Sequence, residues 1–374
     1  MHCFIIFTLF SFQAHTCGDL HGSNLIKELK KIDETASIRC WGGNEMQKAG
    51  GELVVHFRHL AFMGFVEVLQ NLLKIFKNLR FCKKDIVQFH PDALILIDYP
   101  GFNLRIAQWA TQKGFTVHYY ISPQVWAWKE NRVKMMKQCI DQLLVILPFE
   151  KDFFEKKWNW KVQYVGHPLV QVIEQFKINY TPQLFSKKPI IALLPGSRKQ
   201  EILKKLPVML KTSAAFSDYQ FIVAKAPSVE DSFYEDLLLP YPTVLAVDNQ
   251  TYSLLMQAKA ALVTSGTATL ETALFGVPQV VCYKGSAISF FIAKQLIKVR
   301  YVSLVNLIMN KEVVPELLQQ AMNATNLKLE LTKILKDDFS ISLMKNNYHD
   351  LQKILSAGGH ASAKAAQAIF DFKK

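Results

Sequence analysis

NYTPQLFSKKPIIALLPGSRKQEI, residues 179–202, carries two opposite signals back to back. Its first part, Asn179 to Pro189, has two prolines and no hydrophobic period, the mark of an interdomain linker. Ile190–Leu194 is then a short continuous apolar run that passes at once into Pro195-Gly196-Ser197-Arg198 and a helical pattern. A buried strand feeding directly into a turn and a helix is the repeating unit of a parallel sheet covered on both faces. Met halfway along the chain, it implies that a β/α rhythm has been interrupted and starts again.

The same rhythm runs on both sides of the linker. Before it, strands are predicted at Cys3–Leu9, Ile38–Trp41, Ala93–Ile97, Thr116–Tyr120, Leu143–Leu147 and Val162–Val165. After it they are predicted at Ile190–Leu194, Gln220–Val223, Thr243–Ala246, Ala261–Val263 and Gln279–Cys282. Beyond about Glu316 only helical patterns remain. The expected fold is therefore α/β, with two doubly wound Rossmann-like domains facing across a cleft and C-terminal helices crossing the seam. The first domain is expected over 1–178, the linker over 179–189, the second domain over 190–345, and a helical tail over 346–374 that packs back on the first domain. Ligands of such sheets bind at the carboxyl ends of the strands.

Bulk properties agree and narrow the partners. A chain of 374 residues suits two domains. Lys and Arg exceed Asp and Glu by 13, so the protein attracts anions: nucleic acid, phosphorylated metabolites or an anionic membrane surface. No nucleic-acid reader motif or tight basic run supports the first of these. The six cysteines are scattered without C-x-x-C spacing, which fits a reducing cytosol and suggests neither a zinc site nor a disulfide framework. No apolar run reaches the roughly 18 residues of a spanning helix, so membrane contact would be peripheral. The opening MHCFIIFTLF has neither a basic n-region nor an Ala-x-Ala cut, and reads as strand one rather than a signal peptide.

Five stretches carry chemistry. In Pro195-Gly196-Ser197-Arg198, Gly196 permits a tight turn, Ser197 can cap the helix and Arg198 can fork onto phosphate oxygens, although a capped helix with a surface arginine would look the same. Ser265-Gly266-Thr267-Ala268-Thr269-Leu270-Glu271 is a second strand-to-helix turn rich in hydroxyls, again suited to phosphate, with Glu271 either a ribose acceptor or a dipole partner. Two such loops in one domain favour a nucleotide. Asp98 ends the buried run Ala93–Ile97, where partial desolvation suits a general base, or where it merely caps the next helix. Trp126 and Trp128 in ISPQVWAW are a sugar or acyl platform, or core. His167 in VGHPL stands at another strand end.

Together, ISPQVWAW, PFE at 148–150, VGHPL, LLPGSRKQEI, SGTATLETAL followed by VPQVVCYK, SLVNLI and VPELLQ resemble the lipid-A-disaccharide synthases, a bacterial glycosyltransferase family, in order from about Gly18 to about Gln320. The resemblance implies a GT-B fold and inverting transfer from UDP-2,3-diacylglucosamine to the 6-hydroxyl of 2,3-diacylglucosamine 1-phosphate. The products would be the β-1,6 lipid A disaccharide 1-phosphate and UDP. It also implies a catalytic base at Asp98 and a UDP site at Gly196, Ser197, Arg198, Glu201, Ser265, Gly266, Thr267, Thr269, Glu271 and Asn306. Acceptor and acyl contacts are expected at Asp19, Ser122, Gln124, Trp126, Trp128, His167, Phe65, Leu69 and Leu73. At Gln13–Cys17 the chain departs from the family's small-residue loop and lacks its glutamate.

No Asp-x-Asp occurs, so no cofactor or metal is expected; arginine and helix N-termini would neutralise the departing diphosphate. A stripe from Phe62 through Phe65, Val66, Leu69, Leu72, Leu73, Phe76 and Leu79, with Lys74, Lys77 and Arg80 beside it, would receive acyl chains, lie in an anionic membrane interface on the cytoplasmic face, or pack as core. A homo-oligomer is compatible with the sequence. The rival readings are another UDP-sugar GT-B enzyme and a homologue that binds lipid or UDP without turnover.

Overall fold

The computed structural model describes residues 2–7, 17–57, 72–285 and 300–372. The chain divides into two compact units, Met1–Pro168 with Leu355–Lys374, and Leu169–Ile354.

In the first unit the described strands are β1 (His2–Phe7), β2 (Ser37–Gly42), β3 (Glu52–His56), β4 (Ala93–Ile97), β5 (Val117–Tyr120), β6 (Gln142–Val145) and β7 (Gln163–Tyr164). All pair in parallel in the order β3-β2-β1-β4-β5-β6-β7. The apolar opening is thus an interior strand of the sheet, next to the central β4, with Phe7 in register with Ile97 and Ile6 with Trp41. β4 is buried at every position, because a strand covered on both faces must be apolar throughout. Each fully buried Leu or Ile there contributes roughly 1.5–3 kcal/mol relative to exposure.

Around this sheet lie α1 (Cys17–Ile32), α2 (Asn44–Lys48), α3 (Leu72–Phe89), α4 (Pro100–Gln112), α5 (Arg132–Cys139) and α6 (Pro148–Asp152). A single π turn, Phe153–Lys157, continues α6. The far end of the chain joins them: Ala365, Ala366 and Ile369 of a late helix, Ala361–Phe370, share one core with Leu25, Ile26 and Leu29 of α1. Small alanines let the two helices approach closely, and Gln142 Nε2 donates to the Ala368 carbonyl at 3.1 Å.

The second unit repeats the design. Its strands β8 (Ile190–Leu194), β9 (Gln220–Lys225), β10 (Leu245–Asp248), β11 (Ala258–Thr264), β12 (Gln279–Tyr283) and β13 (Glu316–Leu318) are parallel in the order β10-β9-β8-β11-β12-β13. In chain order its helices are α7 (Pro168–Ile178), α8 (Lys199–Ser213), α9 (Asp231–Leu238), α10 (Thr251–Gln257), α11 (Thr267–Leu274), α12 (Leu304–Met309), α13 (Ala324–Lys336) and α14 (Asp338–Ser356), and the late helix packed on α1 is α15.

Three features differ from expectation. β3 and β13 were not anticipated; both are short edge strands whose half-exposed residues show no buried run. The passage into the second unit falls at Leu169, ahead of α7 rather than at Asn179, because Phe176 packs on Tyr180, Tyr252 and Phe275 while Lys177 Nζ donates to the Leu274 carbonyl at 2.7 Å. The linker residues are tied to the same unit, with Gln257 Nε2 donating to Tyr180 Oη and the Gln183 carbonyl. The chain returns to the first unit at Leu355, inside α14, rather than at residue 346.

Candidate functional site

In each sheet the strand order reverses beside its first strand, between β1 and β4 and between β8 and β11, and the crevice at such a point is where ligands bind in open α/β sheets. The motifs gather there. Asp98 follows β4, ISPQVWAW follows β5, PFE follows β6 and VGHPL follows β7, along consecutive carboxyl ends of the first sheet. Pro195–Arg198 follows β8 and Ser265–Gly266 follows β11, side by side on the second.

Asp98 sits on an unusual turn. Both Asp98 and Tyr99 have positive φ, 49° and 46°, a region that costs a non-glycine residue about 1 kcal/mol or more and persists only when its surroundings fix it. Here they do: the Asp98 carbonyl accepts from Asn103 Nδ2 at 2.9 Å and from the Tyr119 hydroxyl, Asn103 Nδ2 also reaches the Ile97 carbonyl at 3.1 Å, and the Asp98 N–H donates to Tyr120 O. Tyr99 rather than Asp98 is the N-cap of α4, so the capping account of Asp98 does not hold. Burial raises its carboxyl to about 6, with the Tyr99 backbone N–H opposing the rise. Asn103 and Tyr119 were not marked as site residues; they act through the backbone of the residue that was.

In the neighbouring segment Ile121 also has positive φ, 65°, the buried Ser122 hydroxyl donates to the Pro123 carbonyl, and Gln124 is exposed. The two tryptophans have different settings. Trp128 is 50 % exposed with Lys129 Nζ 4.4 Å from its ring centre, whereas the Trp126 indole N–H donates to Glu150 Oε1 at 3.2 Å and its ring meets Phe149 edge-on. Glu150 also accepts the Ile146 and Leu147 N–H groups, and burial pushes it up to about 7. Its only signal in the sequence was membership of PFE.

Several expected acceptor residues face inward. Asp19 accepts backbone N–H groups from Gly43, Glu45 and Met46 and so caps α2 from another helix; its oxygens are occupied by protein. His167 is 5 % exposed, and burial together with the neighbouring His21 lowers it to about 3, so it is a neutral ring and no anion receptor at neutral pH. Phe65 and Leu69 lie outside the described residues, as do Gln13 to Thr16; Leu73 falls in α3, its side chain outside the described set. Farther along α3 the expected stripe divides. Leu79, Cys82 and Ile86 join the core, while Phe76 and Phe81 are exposed on the same side as Lys77, Arg80 and Lys84.

The second unit's turns are built on glycines with positive φ, Gly196 at 119° and Gly266 at 151°. Each leads into a helix whose first N–H groups have no carbonyl of their own helix to bind, so α8 and α11 begin with positive ends that follow the adjacent strands β8 and β11. Arg198, not Ser197, is the N-cap of α8; its guanidinium is half-buried, which lowers it to about 10 and leaves it a cation. Ser197 is tied to the next loop through Ser228 Oγ on its carbonyl. Glu201 Oε1 lies 3.9 Å from Arg198 Nε.

Ser265 Oγ donates to the Val302 carbonyl at 2.8 Å, and Thr267 is half-buried at the start of α11. Thr269, expected beside phosphate, is fully buried, and its hydroxyl donates to the Gly266 carbonyl at 2.7 Å and so shapes the turn. Glu271 accepts from the Tyr252 hydroxyl at 3.0 Å, and burial raises its carboxyl. Asn306, expected near the nucleoside, has its whole amide engaged: Nδ2 donates to Val314 O and Glu316 Oε1, and Oδ1 accepts from Val313 and Val314 N–H. Glu316, unmarked by the sequence, gathers the N–H groups of Val302 and Ser303 and the Ser303 hydroxyl, and so fixes this corner.

Among the described residues no cluster of His, Cys, Asp and Glu has metal-binding geometry, and no helix is long and apolar enough to cross a membrane.

A family model described as Lipid-A-disaccharide synthetase matches residues 9–370 of the chain, well beyond the stretch its motifs mark. The lipid-A-disaccharide synthase of Syntrophus aciditrophicus is 36% identical over 367 residues, covering 96% of each chain. Lipid-A-disaccharide synthase 1 of Legionella pneumophila is 36% identical over 368 residues, covering 95% of this chain and 93% of that one. Among solved structures, the UDP-GlcNAc 2-epimerase of Neisseria meningitidis bound to UDP-GlcNAc has a TM-score of 0.67 at 13% identity, covering 99% of both chains. The calicheamicin glycosyltransferase CalG4 has a TM-score of 0.61 at 15% identity, covering 99% of this chain and 97% of its own. Identities this low speak for the fold alone, and the fold is GT-B.

Proposed function

We propose residue roles for a chain that belongs to the lipid-A-disaccharide synthase family and is therefore a glycosyltransferase that makes the lipid A disaccharide. The observation that carries them is the pair of glycine-turned helix starts on adjacent strands β8 and β11, with Arg198 between strand and helix. A nucleoside diphosphate fits that chemistry: the α8 and α11 N–H groups and the Arg198 guanidinium take the phosphate oxygens, and Glu271 takes the ribose hydroxyls. Thr269, Asn306 and Glu316 hold the turns from behind.

The sugar donor is UDP-2,3-diacylglucosamine and the acceptor is 2,3-diacylglucosamine 1-phosphate. The acceptor 6-hydroxyl attacks the anomeric carbon as the bond to UDP breaks, Asp98 takes the hydroxyl proton, and the configuration inverts in a single displacement. Stabilisation of the leaving diphosphate by Arg198 and the helix N-termini supplies what a metal would otherwise supply. With the two acylated substrates the chain is expected to form disaccharide phosphate and UDP at an undiminished rate in EDTA. Product traced by mass would check this, and a strict divalent-metal requirement, or equal turnover of non-acylated UDP-glucosamine, would overturn it.

Both substrates carry acyl chains, and we place the protein peripherally on the cytoplasmic face of an anionic membrane. The support is α3, where Phe76 and Phe81 are exposed beside Lys77, Arg80 and Lys84. Glutamate at Lys77, Arg80 and Lys84 is expected to release the chain from vesicles containing anionic phospholipid in a flotation assay. Undiminished flotation would count against this surface.

A further inference from the structure

Lys205 lies on α8, one turn beyond Glu201, and is only 2 % exposed. Its Nζ stands 4.0 Å from Glu201 Oε2, while Oε1 of the same carboxylate stands 3.9 Å from Arg198 Nε. Glu201 is thus shared between two cations and held at hydrogen-bond length by neither. The carboxylate lies directly under the glycine turn, since a Cβ at Gly196 would come within 2.8 Å of Glu201 Oε2. Cys282 and Tyr283 of β12 lie within electrostatic reach of the lysine and the carboxylate respectively; burial pushes the Cys282 thiol up to about 12 and raises Tyr283, so both are neutral. Lys204, beside Lys205, adds to the positive field.

An ammonium in such a place is costly, because burial disfavours its charge and an apolar side chain would fill the same space without that penalty. Its effect is on the carboxylate. With Lys205 present, Glu201 is balanced between two cations; without it, Glu201 draws Arg198 down onto itself and away from the turn. We propose that Lys205 is a positioning residue for the donor diphosphate, acting through Glu201 to keep the Arg198 guanidinium at the Gly196 turn. This rests on the reading of that turn as the diphosphate site.

The proposal predicts a specific pattern of coupling. Lys205→Met is expected to weaken UDP binding, measured by calorimetry, by about tenfold, within the range of coupling between contacting residues. Its melting temperature should change little, since the part-exposed Glu201 keeps Arg198 as a partner and the cost of burying the lysine charge is gone. Lys205→Arg should restore most of the affinity. In a Glu201→Gln background, where the carboxylate that links the two cations is gone, adding Lys205→Met should change affinity by less than about twofold. An equal loss in both backgrounds, or none in either, overturns the proposal. Failure of the underlying reading shows elsewhere, as no UDP binding by the unaltered chain or no effect of Arg198→Ala, and overturns both.

Discussion

Asp98→Asn is expected to slow disaccharide formation by about 10²–10⁴-fold, the usual contribution of a general base, while leaving UDP affinity unchanged. Asparagine keeps the shape of the side chain, and the unusual turn around it is fixed by Asn103 and Tyr119 through the backbone, so the variant loses the base and little else. The pH profile supplies a second signature. Burial raises the Asp98 carboxyl to about 6, and the ionised form accepts the proton, so kcat/KM should climb as pH rises through about 6 and level off above it. The same shift has a consequence for stability. Because the folded value lies above the ordinary 3.8, the stability that Asp98 contributes is full below about 4 and is lost as pH rises through about 6. Asparagine mimics the protonated acid, so the variant should melt higher than the unaltered chain above that window and equally below it. A rate that stays flat across the window, or a variant within tenfold of full activity, would remove Asp98 from this role.

What the sequence made legible follows from where side-chain identity alone carries the information. ALILI at 93–97 is an apolar run of strand length and is buried at every position, and the apolar opening was read as strand one, where β1 lies. β3 and β13 were not, because an edge strand of three to five half-exposed residues has no period to read. The passage between units was displaced for a related reason: the helical pattern of α7 does not reveal which sheet it covers, and only the packing of Phe176 on Tyr252 and Phe275 does.

At the site, Asp98, Arg198 and the two glycine turns stand where the strand-to-helix pattern put them. Asp19, Thr269 and Asn306, expected to meet ligand, bind backbone or neighbouring side chains in this structure. A polar residue in a loop has the same identity whether its partner is a substrate or its own main chain, and the difference appears only when the hydrogen bonds are traced. Lys205 is the converse case: a lysine in a helix reads as solvated surface, and only the fold shows it buried beside Glu201.

Arg198→Ala should produce the opposite signature to Asp98→Asn. Arg198 is half-exposed and stands a long 3.9 Å from the Glu201 carboxylate, so truncation should leave the melting temperature almost unchanged. In the proposed role it is a charge aimed at the leaving group. Removing one donor of that kind typically costs about 10²–10³-fold in rate, because the diphosphate gains negative charge as the glycosidic bond forms and the bond to UDP breaks. The product UDP carries that charge fully, so its affinity should fall along with kcat/KM. Arg198→Lys should recover only part of the loss, since an ammonium restores the charge without the planar fork that binds two oxygens at once. The pH dependence should remain that of the unaltered chain, because the base is intact. Calorimetry with UDP separates the two residues: an Arg198→Ala variant that binds UDP normally yet turns over slowly would place the arginine elsewhere in the reaction. One that binds weakly and keeps the acidic limb near 6 fixes it on the diphosphate and leaves the proton transfer to Asp98.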